Sequence, residues 1–153
     1  MRLFNTCLAA AAVLGATPAW ADGDHARRVP LTAPYVQECG SCHVAFPPGL
    51  LPAASWQRLM AGLGRHFGSD ASLDAASTAS IGTWLQAHAG SGKRAAEPPR
   101  DDRITQGAWF RREHREVDGR FGRGAVRGAA DCAACHTRAA EGSYREREIR
   151  LPG

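Results

Sequence analysis

Apolar residues recur along the 153-residue chain at spacings that predict short helices separated by loops. Trp56, Leu59, Met60 and Leu63 follow the i, i+3, i+4, i+7 pattern and therefore share one face of a predicted helix. Strand-like alternation is almost absent; the tail after Gly142 alternates weakly but has no evident partner strand. The pattern favours an all-α fold.

A second helix is predicted over residues 71–89, because apolar residues again recur at helical spacing. Asp70 is the expected N-cap, and Gly90 follows the expected end. The apolar side of this helix comprises Leu73, Ile81, Trp84, Leu85 and His88.

A third helix is predicted within residues 104–119, although most of its side chains are charged. Phe110, His114 and Val117 fall at i, i+4 and i+7, and Gly119 marks the end. The segment before it, residues 90–102, contains Gly, Ser, Pro and charged residues without apolar periodicity, and it is predicted to be a linker. We therefore expect two lobes, residues 22–89 and 103–153.

The first 21 residues have the pattern of a cleavable secretory signal peptide. Arg2 precedes the apolar run of residues 7–16, and Ala19 and Ala21 provide small residues at an A-x-A cleavage site. Such a signal directs export, in a bacterium to the periplasm. Cleavage after Ala21 would also remove Cys7 from the mature chain. No apolar run of 18 residues follows, so no membrane span is predicted in the mature chain.

Composition and charge narrow the possible functions. A formal net charge of +4 is too small to indicate nucleic-acid binding. The chain is rich in alanine and glycine and has few large apolar side chains for its length, whereas a domain of this size normally buries most of its apolar surface. A large apolar cofactor would supply the missing packing material.

One pentapeptide pattern occurs twice, as CGSCH at residues 39–43 and as CAACH at residues 132–136. Paired cysteines of this spacing occur in zinc sites, thiol-exchange sites and haem attachment sites. A single four-thiolate zinc site is disfavoured, since 89 residues separate the pairs and each pair is followed directly by histidine. Thiol exchange is disfavoured because no βαβ pattern is present.

Covalent haem attachment explains every repeated residue of the pentapeptide. The cysteines of each pair would form thioethers to the two vinyl groups of a porphyrin, and the following histidine would be the proximal ligand of the iron. The predicted anchors are Cys39, Cys42, Cys132 and Cys135, and the predicted proximal ligands are His43 and His136. The sequence thus predicts two covalently bound haem c groups.

The sixth ligand of each iron decides between an electron carrier and a protein with a reactive iron. Met60 lies on an apolar helix face and is predicted to pack in the core, and His25 is predicted to be solvated. His114 is the strongest candidate, because it is the polar member of the apolar face of a charged helix. His66 and His88 compete for the other iron.

The chain resembles the small periplasmic dihaem cytochrome c family of bacteria. The similarity is carried by YVQECGSCHVAF, by RHFG around His66, by REH around His114 and by CAACHTRAAEGSYRERE. The resemblance implies two haem lobes with short helices and long loops, in which His66 serves the first haem and His114 the second. A crossed pairing is the alternative, and His88 is the second choice for the first iron.

The resemblance also implies the activity and the partners. It implies a bis-histidine electron carrier that reduces an oxygen-binding monohaem cytochrome c. We therefore expect an electron carrier with no catalytic residues. Its expected partners are redox proteins, namely that cytochrome and a membrane electron donor. The alternative is a haem protein with one open iron for small-ligand binding or peroxide chemistry.

Overall fold

The computed structural model describes residues 29–93 and 95–153; the predicted signal peptide, Cys7 and His25 lie outside these residues. Over the described ranges the chain forms helices and turns with no strand, which confirms the all-α prediction. Eight short 3₁₀ helices accompany the α-helices in this part of the chain. The α-helices are α1 (Ala33–Cys39), α2 (Ala53–Ala61), α3 (Ala75–Ala87) and α4 (Ala108–Glu113).

The main apolar core lies between α1, α2 and α3. Leu51 and Leu85 are each only 1% exposed, and the Trp56 ring packs with them. The indole Nε1 of Trp56 donates a hydrogen bond of 2.7 Å to the Pro48 carbonyl oxygen, so this large ring is buried without an unpaired polar atom. The core residues are Tyr35, Ala45, Leu51, Trp56, Ile81 and Leu85.

The second helix begins four residues later than its apolar pattern predicts. Asp74 is the N-cap, and its carboxylate accepts hydrogen bonds from the backbone N–H groups of Ala76 and Ser77. The Asp70 side chain accepts instead from the backbone N–H of Ser72, in a turn that precedes the helix. Both aspartates are acceptable caps by residue type, and the choice of Asp70 was wrong.

The predicted third helix is much shorter than its pattern, since α4 has only six residues. A 3₁₀ turn precedes it, and Gly107 adopts an extended conformation at its start. Closely spaced charges offer little apolar surface, so only the part around the buried Phe110 is held as an α-helix. The helix α1 was not predicted.

Most described residues within 90–102 are exposed, but Ala95 is buried and both ends of the segment contact the region around α2. The Gly90 N–H donates to the Leu51 carbonyl oxygen at 2.8 Å, and a Cβ at Gly90 would lie 2.3 Å from the Gly49 carbonyl oxygen. Only glycine permits this approach. At the other end of the segment, Asp102 pairs with Arg58 of α2.

The part of the chain after α4 contains few buried apolar residues. Val126 and Ala139 are buried, while the surrounding backbone forms 3₁₀ turns. The tail contacts the second pentapeptide through a hydrogen bond of 2.9 Å from the Arg150 N–H to the Cys135 carbonyl oxygen. A single bridge between His136 and Ile149 takes the place of the weakly indicated strand.

Among the described residues, no helix has both the length and the apolar composition needed to cross a bilayer.

Candidate functional site

The two pentapeptides occupy different local structures. Cys39 is the last residue of α1, and the chain turns after it at Gly40. The second pentapeptide begins with a 3₁₀ helix, Cys132–Ala134, and the His136 N–H donates to the Cys132 carbonyl oxygen at 2.8 Å. Each segment thus places two thiols and an imidazole on consecutive turns of backbone.

No disulfide joins any two of the four cysteines of the pentapeptides. Burial raises the pKa of Cys39 and of Cys132 to about 11. Thiol-exchange enzymes need a cysteine whose pKa is lowered so that the thiolate forms near neutral pH. The environment of these two thiols is therefore unsuited to disulfide exchange.

A zinc site is also unsupported in the described part of the chain. No group of three or more His, Cys, Asp or Glu side chains converges there at metal-binding distance. Structural zinc needs four such ligands in a tetrahedron. The thiols lie instead in two pairs, each beside its own histidine.

The first pair of histidines consists of His43 and His66. Their ring centres are 6.2 Å apart, and the ring planes differ by 25°. His43 stacks on Phe46, and its Nδ1 donates to the Val44 carbonyl oxygen at 2.8 Å. Because the carbonyl can only accept, the Nδ1 of a neutral His43 holds the proton, which leaves a lone pair on Nε2 for a metal.

His66 reaches this position from a turn that follows α2. It comes directly after the 3₁₀ helix Leu63–Arg65, and its Nδ1 is buried without a hydrogen-bond partner. Burial lowers the pKa of His66, and the nearby His43 and Arg103 lower it further. A half-buried imidazole with a lowered pKa and an unpaired, buried Nδ1 fits a ligand better than a structural histidine.

The second pair consists of His114 and His136. Their ring centres are 6.1 Å apart, and their planes differ by 67°. His114 caps the C-terminus of α4, stacks on Phe110 at 4.0 Å and donates from Nδ1 to the Phe110 carbonyl oxygen at 2.9 Å. The four-residue spacing between Phe110 and His114 on one helical turn produces this arrangement.

His136 repeats the features of His66. Its Nδ1 is buried without a hydrogen-bond partner, and burial lowers its pKa, with a smaller contribution from His114. The Tyr144 ring packs against it at 5.1 Å, and the Tyr144 hydroxyl is also buried without a partner. In each pair, then, one imidazole is oriented by a backbone carbonyl and the other has an unpaired buried nitrogen.

The separation within each pair fits a single metal atom between the two rings. A metal-bound imidazole nitrogen lies about 2 Å from its metal, and the ring centre about 1 Å beyond, so two imidazoles on opposite sides of one metal have centres roughly 6 Å apart. The observed separations are 6.2 Å and 6.1 Å. Each pair therefore fits the two axial positions of a haem iron.

The remaining candidates lie elsewhere. His88 follows α3 and is exposed, its Nδ1 bonded to the Trp84 carbonyl oxygen and its ring against Trp84. Among the described residues its ring meets no other imidazole. Met60 packs against the apolar core and approaches Gly82.

Sequence reasoning placed Phe110 on the same helix face as His114 but assigned no supporting role to the aromatic residues beside the four imidazoles. Phe46, Phe67, Phe110 and Tyr144 each lie within 5.1 Å of one of them, measured between ring centres. The available signal was proximity in sequence, because Phe67 is adjacent to His66 and Phe110 precedes His114 by one helical turn.

Comparisons with known proteins identify the family. Residues 35–144 match the family model for dihaem cytochrome c. A dihaem c-type cytochrome from Shewanella baltica OS155, of known X-ray structure, is 38% identical, with a TM-score of 0.70 over 82% of this chain and 96% of that chain. A dihaem cytochrome c from Rhodobacter sphaeroides is 40% identical, with a TM-score of 0.66 over 76% of this chain and 100% of that chain.

A search of curated proteins returned no match. The family match and the two similar structures confirm the resemblance expected from the sequence and the two haem groups predicted from the pentapeptides. The chain therefore belongs to the dihaem cytochrome c family and carries two covalently bound haem c groups.

Proposed function

We propose that this protein is an exported electron carrier in which both haem irons have two histidine ligands. His43 and His66 ligate the first iron, and His136 and His114 ligate the second. Thioethers from Cys39 and Cys42, and from Cys132 and Cys135, anchor the two porphyrins. The observation that carries the proposal is the pair of ring separations, 6.2 Å and 6.1 Å.

The ligand arrangement suits electron transfer. Bound haem supplies a reversible one-electron change between ferric and ferrous iron, and two strong axial ligands favour transfer over ligand binding. His43 and His114 are held by Nδ1 hydrogen bonds to backbone carbonyls, so neither ring needs to turn when the charge of the iron changes. Phe46 and Phe110 stack on these two rings and restrict them further.

Electron paramagnetic resonance of the oxidised protein tests the ligation. Two imidazoles with nearly parallel planes and two with nearly perpendicular planes give different low-spin ferric signals. Interplanar angles of 25° and 67° should therefore give two resolvable signals in equal amounts. Two haems per chain by mass and no rapid binding of carbon monoxide to the reduced protein are also expected.

Three matched variants assign the signals. His66→Ala should convert one haem to high spin and remove the signal of the near-parallel pair, while His114→Ala should do the same to the near-perpendicular pair. His88→Ala is the control, because its exposed ring contacts Trp84. Loss of the near-parallel signal in His88→Ala alone would contradict the ligand set, and rapid carbon monoxide binding by the wild type would favour the open-iron alternative.

The family resemblance and the charge of residues 103–153 support the proposed partners. Residues 103–153 contain eleven basic and seven acidic residues, whereas residues 22–102 contain seven basic and eight acidic residues. An oxygen-binding monohaem cytochrome c would accept electrons at the basic lobe through an acidic surface of its own. A membrane electron donor in the periplasm would reduce the protein.

Charge reversal tests the docking face. Arg111 and Arg123 are exposed, and Arg111 lines a cavity of about 250 Å³ together with His114. Arg111→Glu and Arg123→Glu should slow reduction of such a monohaem cytochrome several-fold and weaken the salt dependence of the rate. The control is Arg100→Glu, at a similarly exposed arginine in the preceding segment. An equal effect of all three changes would contradict docking at the basic lobe.

A further inference from the structure

The distal side of the first haem site contains a stack of three side chains. The guanidinium carbon of Arg103 lies 4.0 Å from the centre of the Phe67 ring, within range of a cation–π interaction. The Phe67 ring centre in turn lies 4.8 Å from the His66 ring centre. A fixed positive charge is therefore one aromatic ring away from a proposed iron ligand.

The backbone at the His66 end of this stack has an unusual conformation. His66 and Ser69 close a tight turn, in which Phe67 has φ 52° and Gly68 has φ 99°. Successive positive φ values define a type I′ turn, and a bulky aromatic residue is rare at the first of these positions. The conformation turns the chain sharply after His66 and holds the Phe67 ring against it.

The Arg103 end of the stack is held by the residues that precede Arg103 in the chain. Asp101 and Asp102 have φ values of 55° and 54°, which aspartate tolerates better than most residues. The Asp102 carboxylate receives two hydrogen bonds from Arg58 of α2, 2.8 Å from Nε and 2.6 Å from Nη2. After Arg103, the Ile104 side chain packs against the main core. The backbone of Arg103 is thus held on both sides, while its side chain is exposed.

The second site has a different support. Phe110 stacks on His114 at 4.0 Å and is itself buried, whereas Phe67 is 42% exposed and has the Arg103 guanidinium against its ring. The two candidate ligands are therefore supported by aromatic rings in different environments.

We propose that Phe67 and Arg103 are positioning residues for His66 and that the Arg103 charge raises the reduction potential of the first haem. This inference rests on the proposed ligation of the first iron by His66. When a ferric iron gains one electron it becomes ferrous, so the site loses one unit of positive charge. A nearby fixed cation destabilises the ferric form more than the ferrous form, and the Phe67 ring keeps that cation and the imidazole in place.

Redox titration of the holoprotein, followed by the two ferric signals, tests the charge. Arg103→Gln should lower the potential of the haem with the near-parallel signal and leave the other potential unchanged, while Arg103→Lys should restore most of the loss. Arg100→Gln is the matched control, because it removes an exposed arginine of the same segment that pairs with Asp101 at 3.4 Å. A shift in Arg103→Gln no larger than in Arg100→Gln would overturn the electrostatic part.

Phe67 variants test the positioning. Phe67→Leu keeps the Arg103 charge but removes the ring, so the near-parallel ferric signal should broaden or change its anisotropy, whereas Phe67→Tyr should keep it. An unchanged signal in Phe67→Leu would overturn the positioning role.

The His66→Ala variant separates this inference from the proposed function. If His66→Ala leaves both haems low-spin, the ligand assignment itself is wrong. If His66→Ala converts one haem while Arg103→Gln and Phe67→Leu leave its potential and signal as in the control, the ligation stands and only the present inference fails.

Discussion

Residues 31–104 surround the first CxxCH segment with a packed apolar core, whereas the second CxxCH segment lies among short turns and ion pairs. In the first region α2 and α3 pack against each other, and Leu51, Trp56 and Leu85 are almost completely buried. That part of the chain can bury apolar surface without help from its cofactor.

The second region relies on other interactions. Its one α-helix has six residues, and its buried apolar side chains are Phe110, Val126 and Ala139. Surface ion pairs, such as Arg127 with Asp131, join residues close in sequence. Such pairs add little stability. Because a short helix is marginal without packing, we expect haem to provide much of the apolar surface that this second region folds around.

Loss of either haem gives the largest expected effect and tests this difference directly. Cys132→Ala with Cys135→Ala should expose the backbone of α4 and the following turns, so their amide protection falls nearly to that of an unfolded chain. Cys39→Ala with Cys42→Ala should leave α2 and α3 largely protected, because their mutual packing remains. Hydrogen exchange with mass spectrometry, on protein carrying one haem, measures both. Equal loss of protection in the two regions would contradict the comparison.

Substitution of Trp56 should cause the next largest effect. Trp56→Ala removes a buried ring from the main apolar core and should lower the free energy of unfolding by about 3–5 kcal/mol. Trp56→Phe keeps most of the packing but leaves the Pro48 carbonyl unpaired, at a cost of about 1–3 kcal/mol. Denaturant unfolding followed by circular dichroism gives the values. If the two substitutions lower the free energy of unfolding equally, the hydrogen bond rather than the packing dominates the contribution of Trp56.

The ion pair between Arg58 and Asp102 should give a smaller, pH-dependent effect. The hydrogen bonds from Arg58 lower the pKa of Asp102 in the folded protein. Stabilisation from a lowered carboxyl pKa is complete above the unfolded-state value of about 3.9 and is lost as pH falls through the folded-state pKa. Wild type should therefore exceed Asp102→Asn in stability at pH 7, and the difference should shrink below about pH 4.

Asp131→Asn is the matched control for this pair. Arg127 also lowers the pKa of Asp131, but the two residues are four positions apart, and the Arg127 side chain is 86% exposed. Its effect should be smaller than that of Asp102→Asn, because a local pair restrains little of the fold. Thermal unfolding from pH 3 to pH 7 compares the variants. A difference between wild type and Asp102→Asn that does not change with pH would rule out the ion pair as its source.

The apolar pattern of the sequence predicted the helices better than it predicted their ends. The apolar face at Trp56, Leu59 and Met60 indicated α2, because its periodicity is strong and Gly62 ends it. The N-cap of α3 was misplaced, since Asp70 and Asp74 have the same capping chemistry and only packing selects between them. The length of α4 was overestimated, because a charged sequence with helical spacing forms a helix only where Phe110 is buried.

The sequence alone determined the cofactor and its attachment. A CxxCH segment is local, so its two thiols and its imidazole share consecutive turns whatever the rest of the chain does. Its repetition at Cys132 fixed the number of haems, and the scarcity of large apolar residues agreed with a cofactor-filled interior.

The periodicity of the sequence left His66 and His88 as competitors, the family resemblance favoured His66, and the tertiary structure separates their positions. The two residues look similar in sequence, since each follows helical apolar residues. In the fold, the turn after α2 brings His66 to 6.2 Å from His43, while His88 remains exposed beside Trp84. The approach depends on contacts between residues distant in sequence, including the strained turn at Phe67 and Arg103 held by the segment that Arg58 binds. Such contacts leave no periodic signal in the chain.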